Sequence, residues 1–492
     1  MHLRRVRSFI NGEFVDTNLS KWSPVTLLNA ATACPATEYV PADTPTVQLA
    51  LQTARKAQLE WKRKASAERG LILRKAADIL TQRNDELALL ETIDTGRPIA
   101  ETTTDDIVSA RDCLHYYAGI CPSIGGEMTQ LGDGNWGYTR REPLGLTVGI
   151  GAWNYPLQSA VWKSAPALAF GNSMVFKPSE ETPLTAIELA SIYIAAGVPK
   201  GVFNVVLGDG RVGEMLASDP NVTKVSFTGS IQTGIKVYQT AAKTLKKVTM
   251  ELGGKSPLII FEDADVEEAV SAAMMANWYS SGQVCSHGTR VFVHASMLGA
   301  FVSRLQERTL QLRIGNPVDP DTDIGPMIHK AHMEKVLGFV AQGVKEGATL
   351  LPKGGVRIVP SEELKNGFFL TPAIFVDCTD EMTIVKEEIF GMVMAILPFH
   401  EEEEVVSRAN DTPYGLSAGI FTNDIKRAHR VAANLEAGTI WINNYNLAPV
   451  ELPWGGYKHS GLGRENGLGG VHSWTQVKSI YVEMNKVECP YQ

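Results

Sequence analysis

The residues best able to do covalent chemistry stand in Ser281-Gly282-Gln283-Val284-Cys285-Ser286-His287-Gly288, just ahead of an apolar run at Thr289–Val293. A thiol in a glycine-flanked loop before a strand can be exposed as a nucleophile. Alone it would read as a small buried hydrophobe, which is the reading for Cys34, Cys113, Cys121, Cys378 and Cys489. His287 invites a cysteine–histidine hydrolase, but a partner two residues away reaches the thiol only in strained geometry. A second group is Glu251-Leu252-Gly253-Gly254-Lys255-Ser256-Pro257, where an acid precedes a glycine pair. With so little charge around it, Glu251 is poorly explained as a salt-bridged surface glutamate.

Three further loops suit a ligand rich in phosphate and ribose. Gly151-Ala152-Trp153-Asn154-Tyr155-Pro156 follows the apolar run Leu146–Ile150, and Lys177-Pro178-Ser179-Glu180 follows the next one. A lysine and an acid at the end of a second strand fit ribose hydroxyls. Phe227-Thr228-Gly229-Ser230-Ile231-Gln232-Thr233-Gly234 reads as strand, glycine turn and helix start, a natural phosphate cradle. Gly208-Asp209-Gly210-Arg211-Val212-Gly213 matches G-x-G-x-x-G literally, but it does not follow the first strand of its unit. Glycine-enabled packing is the better reading there.

These loops need a scaffold. From Leu144 short apolar runs alternate with helical stretches, at Leu146–Ile150, Ser173–Phe176, Phe203–Val206 and Lys224–Phe227. A second series follows at Pro257–Phe261, Thr289–Val293, Ala373–Val376, Ala418–Phe421 and Thr439–Ile442. Such alternation predicts an α/β fold with two doubly wound parallel-sheet units. Residues 46–118 carry helical periodicity, and a hairpin is expected at 126–145. We divide the chain into 1–125 with 146–254, 255–450, and a small β element from 126–145 and 470–492. The boundary falls at Gly253-Gly254, a pair suited to a hinge.

Composition narrows the function. The chain of 492 residues is 44% hydrophobic and 20% charged, so a large core is available and global disorder is excluded. A net charge of −8 argues against a nucleic-acid surface. No apolar run is long enough for a membrane span, and the basic start lacks a signal core. Six cysteines without C-x-x-C spacing fit a reduced, cytoplasmic chain.

Taken together, Trp153-Asn154-Tyr155-Pro156, Lys177-Pro178-Ser179-Glu180, Phe227-Thr228-Gly229-Ser230, Glu251-Leu252-Gly253-Gly254-Lys255, Gly282-Gln283-Val284-Cys285, Glu387-Glu388-Ile389-Phe390-Gly391 and Gly455-Gly456-Tyr457-Lys458-His459-Ser460-Gly461 resemble the aldehyde dehydrogenase superfamily. The resemblance covers essentially the whole chain. Tyr138–Gly145, Trp162–Leu168 and Gly463–Gly467 make it most similar to the betaine aldehyde and 4-trimethylaminobutyraldehyde branch.

The resemblance implies that Cys285 attacks the aldehyde, that Asn154 stabilises the oxyanion and that Glu251 activates the hydrolytic water. It gives Lys163 and Glu465 a relay role, with a plain ion pair as the alternative. It assigns NAD, with NADP as the alternative, to Ala152, Trp153, Lys177, Ser179, Glu180, Gly229, Ser230, Thr233, Gly253, Glu388 and Phe390. Tyr155, Trp162, Tyr279 and Trp454 become an aromatic cage for a trimethylammonium aldehyde, with Glu451 nearby; the bland alternative is a general apolar tunnel. Asp94, Lys458 and Gly461 match potassium positions, and the expected assembly is a homodimer or homotetramer. Ala30 and Ala33, in Asn29-Ala30-Ala31-Thr32-Ala33, depart from the family pattern, as does Met392, where proline is usual.

Overall fold

Apolar runs with no polar alternation must be covered on both faces, and the computed structural model shows how. It describes residues 3–17 and 23–491; residues 1–2, 18–22 and 492, which belong to the expected segments 1–125 and 470–492, lie outside the described residues. Five parallel strands, Leu146–Ile150, Ser173–Lys177, Phe203–Val205, Lys224–Thr228 and Lys247–Glu251, form the centre of an eight-stranded sheet. Leu146–Ile150 lies between Ser173–Lys177 and Lys224–Thr228, so the sheet grows outward from it in both directions. That reversal opens a crevice beyond the carboxyl ends of Leu146–Ile150 and Lys224–Thr228.

Helix Thr44–Trp61 covers one face, packing Val47, Leu51 and Ala54 against Val148 and Val175. Its start is fixed by Asp43, whose carboxylate accepts from the Thr46 N–H, with Pro45 in the first turn. On the other face the almost wholly buried helix Pro156–Ala169 brings Leu157, Ala160 and Val161 onto Met174 and Phe176. Each such aliphatic side chain contributes roughly 1.5–3 kcal/mol.

The second sheet has seven strands in the spatial order Thr349–Leu350, Ala373–Val376, Val393–Phe399, Arg290–His294, Pro257–Ile260, Ser417–Phe421 and Thr439–Ile442. All pair in parallel except Thr349–Leu350. The chain crosses from Lys247–Glu251 to Pro257–Ile260 through Gly253-Gly254. That pair is no open hinge. A Cβ at Gly253 would sit 2.0 Å from a Glu388 carboxylate oxygen, and one at Gly254 would sit 2.6 Å from the Cys285 carbonyl. Glycine is required there for close approach.

Several placements differ from expectation. Gly461–Leu462, outside the expected segments, adds antiparallel to Lys247–Glu251 as an edge of the first sheet. Ser8–Ile10 closes the other side, with Glu13–Val15 beyond it. Arg4–Val6, Pro35–Tyr39 and Val25–Leu28 make a separate small sheet. The C-terminal strand Thr475–Val482 pairs along its whole length with the chain's own Asn135–Pro143. Asp133-Gly134, both at positive φ, turns the hairpin between Met128–Gly132 and that strand. Among the described residues no helix is long and apolar enough to cross a membrane.

Candidate active site

Three strand ends and two loops of the fold deliver side chains to one point. Every expected cofactor residue, from Ala152 to Phe390, lines a single cavity of about 1000 Å³ at the crevice of the first sheet. The four expected aromatics line a second cavity of about 620 Å³. The two cavities share Ala152, Asn154, Thr228, Glu251 and Cys285. The candidate nucleophile, base and amide therefore stand at a junction between a large elongated space and an aromatic one.

Cys285 owes its position to an unusual turn. Helix Val266–Trp278 runs into Tyr279–Gly282, where Ser280, Ser281 and Gly282 all have positive φ. Two non-glycine residues in that region store strain. They are held by partners: Glu101 accepts from the Ser280 N–H and hydroxyl, and the Ser281 hydroxyl donates to the Gly325 carbonyl. The Asn154 amide donates to the Gln283 carbonyl at 2.9 Å, which fastens it to the cysteine loop. Burial, with the nearby Glu388 and Glu251 charges, pushes the Cys285 thiol up to about 12; the backbone N–H groups of Cys285 and Ser286 pull the other way. The thiol needs a base or an incoming cation to ionise.

Glu251 is buried, and neither carboxyl oxygen has a hydrogen-bond partner. Burial first, and then the Glu465 charge, raises its pKa well above the carboxylate range. Behind it Lys163 donates to Glu465 and to the Thr228 hydroxyl, both at 2.6 Å, while Ser226 donates to the same Glu465 oxygen. This pair is fully enclosed, and Glu465 also lines the aromatic cavity. His287 is buried, makes no hydrogen bond and is pushed down to about 3 by burial. It cannot serve as the partner of Cys285, so the cysteine–histidine hydrolase falls.

On the cofactor side, Ser230 caps helix Ile231–Ala242 through the Thr233 N–H. That cap is neutral and leaves the positive end of the helix available to an anion. The rival loop is already occupied: the Asp209 carboxylate caps Gly210–Ser218, and the Gly208 carbonyl accepts from Lys177 at 2.6 Å. Lys177 also donates to the Pro178 carbonyl and, at 3.3 Å, to Glu180. Glu388 accepts from the Gly254 N–H, and burial raises its pKa to about 7.

Two residues of this wall, His332 and Lys335, escaped the sequence reading. The His332 ring donates from Nε2 to the Phe390 carbonyl at 2.7 Å, and Phe390 itself has φ of +61°. Trp153 packs edge-on against both rings. Met392 is buried, and its carbonyl accepts from the Ala373 N–H. The loop without its usual proline is thus anchored to a strand end.

The residues at the potassium positions have partners within the chain. Asp94 is half-buried beside the start of helix Leu184–Ala196, where it accepts from the Leu184 N–H. Lys458 instead donates to the Asn410 and Thr412 carbonyls and pairs with Glu436, while Gly461 lies on the first-sheet edge beside Glu251. Among the described residues no cluster of three or more His, Cys, Asp or Glu side chains could hold a metal.

Fold and site define an α/β oxidoreductase with a cysteine between cofactor and substrate cavities. The aldehyde dehydrogenase family model matches residues 18–480, and the chain belongs to that family. It is 52% identical to betaine aldehyde dehydrogenase of Brucella anthropi over 483 residues, 98% of each chain. With that of Mesorhizobium japonicum it shares 53% over 484 residues, again 98% of each. Among solved structures, the NAD+ complex of an aldehyde dehydrogenase from Bacillus cereus superposes with a TM-score of 0.94 at 41% identity, covering 98% of this chain and 97% of that one. The NAD+ complex of betaine aldehyde dehydrogenase from Staphylococcus aureus gives 0.95 at 37%, covering 99% and 96%.

The geometry predicts distinct defects at the junction. Cys285→Ala should abolish aldehyde oxidation while leaving folding intact; turnover above a few per cent of wild type would remove Cys285 from its role. Glu251→Gln should give a rapid burst of reduced cofactor followed by slow turnover, because acylation outpaces hydrolysis. Stopped-flow absorbance distinguishes this from loss of the burst, which would place Glu251 at the thiol-activation step.

Proposed function

We propose that this member of the family oxidises a trimethylammonium aldehyde, betaine aldehyde to glycine betaine, with NAD as electron acceptor. One observation carries the reading. The cavity that ends on Cys285 has aromatic walls from Tyr155, Trp162, Tyr279 and Trp454, carries Asp105, Asp112 and Glu451, and includes no lysine or arginine. A quaternary ammonium has no N–H to donate, so hydrogen-bonding groups cannot select it, whereas aromatic faces and carboxylates can. The names of the relatives agree with this reading.

The cofactor cavity fits a dinucleotide: Ser230 and Gly229 open a helix toward a pyrophosphate, Lys177 and Glu180 face a ribose, and Glu388 faces the second one across the side-chain-free Gly253. Bound there, the nicotinamide accepts hydride. The chain's own residues do the rest. With its thiol proton passed by way of Glu251 to solvent, the Cys285 sulfur adds to the aldehyde carbon to give a thiohemiacetal. Its oxyanion is met by the second N–H of the Asn154 amide and by the Cys285 N–H, a two-donor hole. Loss of hydride leaves a thioester on Cys285. Glu251 then takes a proton from water, whose oxygen attacks the thioester carbon, and the thiol leaves as the acid forms. Lys163 and Glu465 fix the electrostatic setting of Glu251 from behind. We place the enzyme in a reducing compartment, in keeping with its six free thiols. We also propose a homodimer or homotetramer, built on the hairpin sheet, where Met128, Leu131, Val477 and Tyr481 are exposed.

Three measurements test this. First, kcat/KM should favour NAD over NADP, because the Glu180 carboxylate repels a 2′-phosphate; equal values would show that Glu180 is not at the ribose. Second, Glu388 is raised to about 7, so its charged form is fully present above that pH and is lost as pH falls through it. KM for NAD should therefore climb below about pH 7 in wild type and stay flat in Glu388→Gln. Third, Trp454→Ala should raise KM for betaine aldehyde about 2–30-fold and raise it less for a neutral aldehyde of equal size. Equal losses would leave a general aldehyde dehydrogenase.

A further inference from the structure

Tyr155, one wall of the aromatic cavity, is already faced by a cation from inside the protein. Arg97, which is 1% exposed and absent from the cavity wall, holds its guanidinium 4.1 Å from the Tyr155 ring centroid and 5.9 Å from that of Tyr279. A ring whose inner face already carries a positive charge is a poor host for a second cation on its outer face. For the cavity to accept an ammonium, that charge must be more than neutralised.

The structure supplies two buried acids for one arginine. Arg97 donates to both Asp106 oxygens at 2.6 and 2.7 Å and lies 3.4 Å from Glu101. Glu101 accepts from the Ser280 N–H at 3.0 Å and from its hydroxyl at 3.1 Å, and Ser280 meets the Tyr155 hydroxyl at 2.9 Å. Tyr279, next in the chain, donates to Asp105. The acids belong to Ile99–Glu101 and to the π-helical turn Thr102–Asp106, a rare geometry that recurs at functional sites. The buried set of Arg97, Glu101 and Asp106 carries a net charge of −1 when both acids are ionised.

We propose that Glu101 and Asp106 are specificity-determining residues for cationic aldehydes, acting through Tyr155 and Tyr279 by overcompensating the Arg97 charge behind the aromatic wall. This inference rests on the proposed trimethylammonium substrate. The groups facing Glu101 are Arg97, Asp106 and Asp105 from its own segment, Ser280 and Tyr279 from the cysteine loop, and Tyr155 from the start of Pro156–Ala169. Glu91 of helix Asn84–Thr95 faces the Arg97–Asp106 pair and is itself raised by burial. Burial, opposed by Arg97 and the Ser280 hydrogen bonds, raises Glu101 to about 7. The net −1 state is therefore present above pH 7 and lost as pH falls through it.

The test compares betaine aldehyde with 3,3-dimethylbutanal, in which a neutral carbon replaces the ammonium nitrogen at nearly unchanged shape. The readout is the ratio of their kcat/KM values with NAD, in which groups serving both substrates cancel. In wild type the ratio should exceed one and rise about 3- to 15-fold between pH 6 and pH 8.5, the scale of one unit charge acting across a buried ring. Glu101→Gln should lower the ratio and flatten its pH dependence. A wild-type preference for the cation that is independent of pH, with the same ratio in the glutamine variant, overturns this inference and leaves the substrate reading standing. No wild-type preference at any pH overturns the substrate reading, and this inference with it. Should Glu101→Gln not fold, the wild-type pH profile is compared with that of His115→Gln, which removes the other titratable group of the cavity wall and should keep the same pH dependence; its loss there overturns this inference.

Discussion

The site depends on a passage of backbone with no room for a side chain. Where the chain leaves the first sheet for the second, Gly253 gives its Cβ space to the Glu388 carboxylate and Gly254 gives its own to the Cys285 carbonyl. One alanine at either position would force apart groups from three segments: the strand bearing Glu251, the loop bearing Cys285 and the loop bearing Glu388. The two sheets are therefore registered to each other by close backbone approach at the reacting centre itself, where the Gly254 N–H donates to Glu388 at 3.2 Å. Interiors packed this closely transmit strain and do not absorb it, so the catalytic geometry and the docking of the two sheets are one constraint.

Around that passage the protein concentrates acids and withholds water. Cys285 feels the Glu388 and Glu251 charges and Glu251 feels that of Glu465, while burial raises Glu251, Glu388 and the thiol together. Lys163 offsets Glu465, whereas among the described residues no lysine or arginine is found to lower the Cys285 thiol. Such a site is disposed to stay neutral until positive charge arrives. An oxidised nicotinamide ring and a quaternary ammonium both bring it, so ligands of this chemistry would ionise the groups they react with.

Much of this was legible in the sequence, and the reason differs from residue to residue. Strands such as Ser173–Lys177 announce themselves because burial on both faces removes any polar alternation. That Gly229-Ser230, Cys285, Glu251 and Asn154 would come together at the joined cavities was readable because their motifs are contiguous. What could not be read depends on partners far away in the chain. His332 has no local motif, and its place follows only from the strained Phe390 carbonyl 58 residues on. Arg97 looks like a surface charge beside a proline until its ion partners and the Tyr155 ring enclose it. The glycine pair was misread as a hinge because composition reports freedom of φ and is silent about what presses on the missing Cβ.

The edges of the first sheet carry a consequence for how the molecule assembles. One edge is made by Ser8–Ile10 and Glu13–Val15, the other by Gly461–Leu462. The sheet that bears Glu251 is thus closed by segments some 450 residues apart in sequence, and Glu465 arrives with the later one. Pairings this remote give a high contact order and slow, late closure. During synthesis the central five strands can form long before the strand beside Glu251 has been made, leaving that edge unpaired and prone to non-native pairing. The last step of folding is then also the step that delivers Glu465 behind Glu251, so the complete site should appear only after nearly the whole chain has emerged.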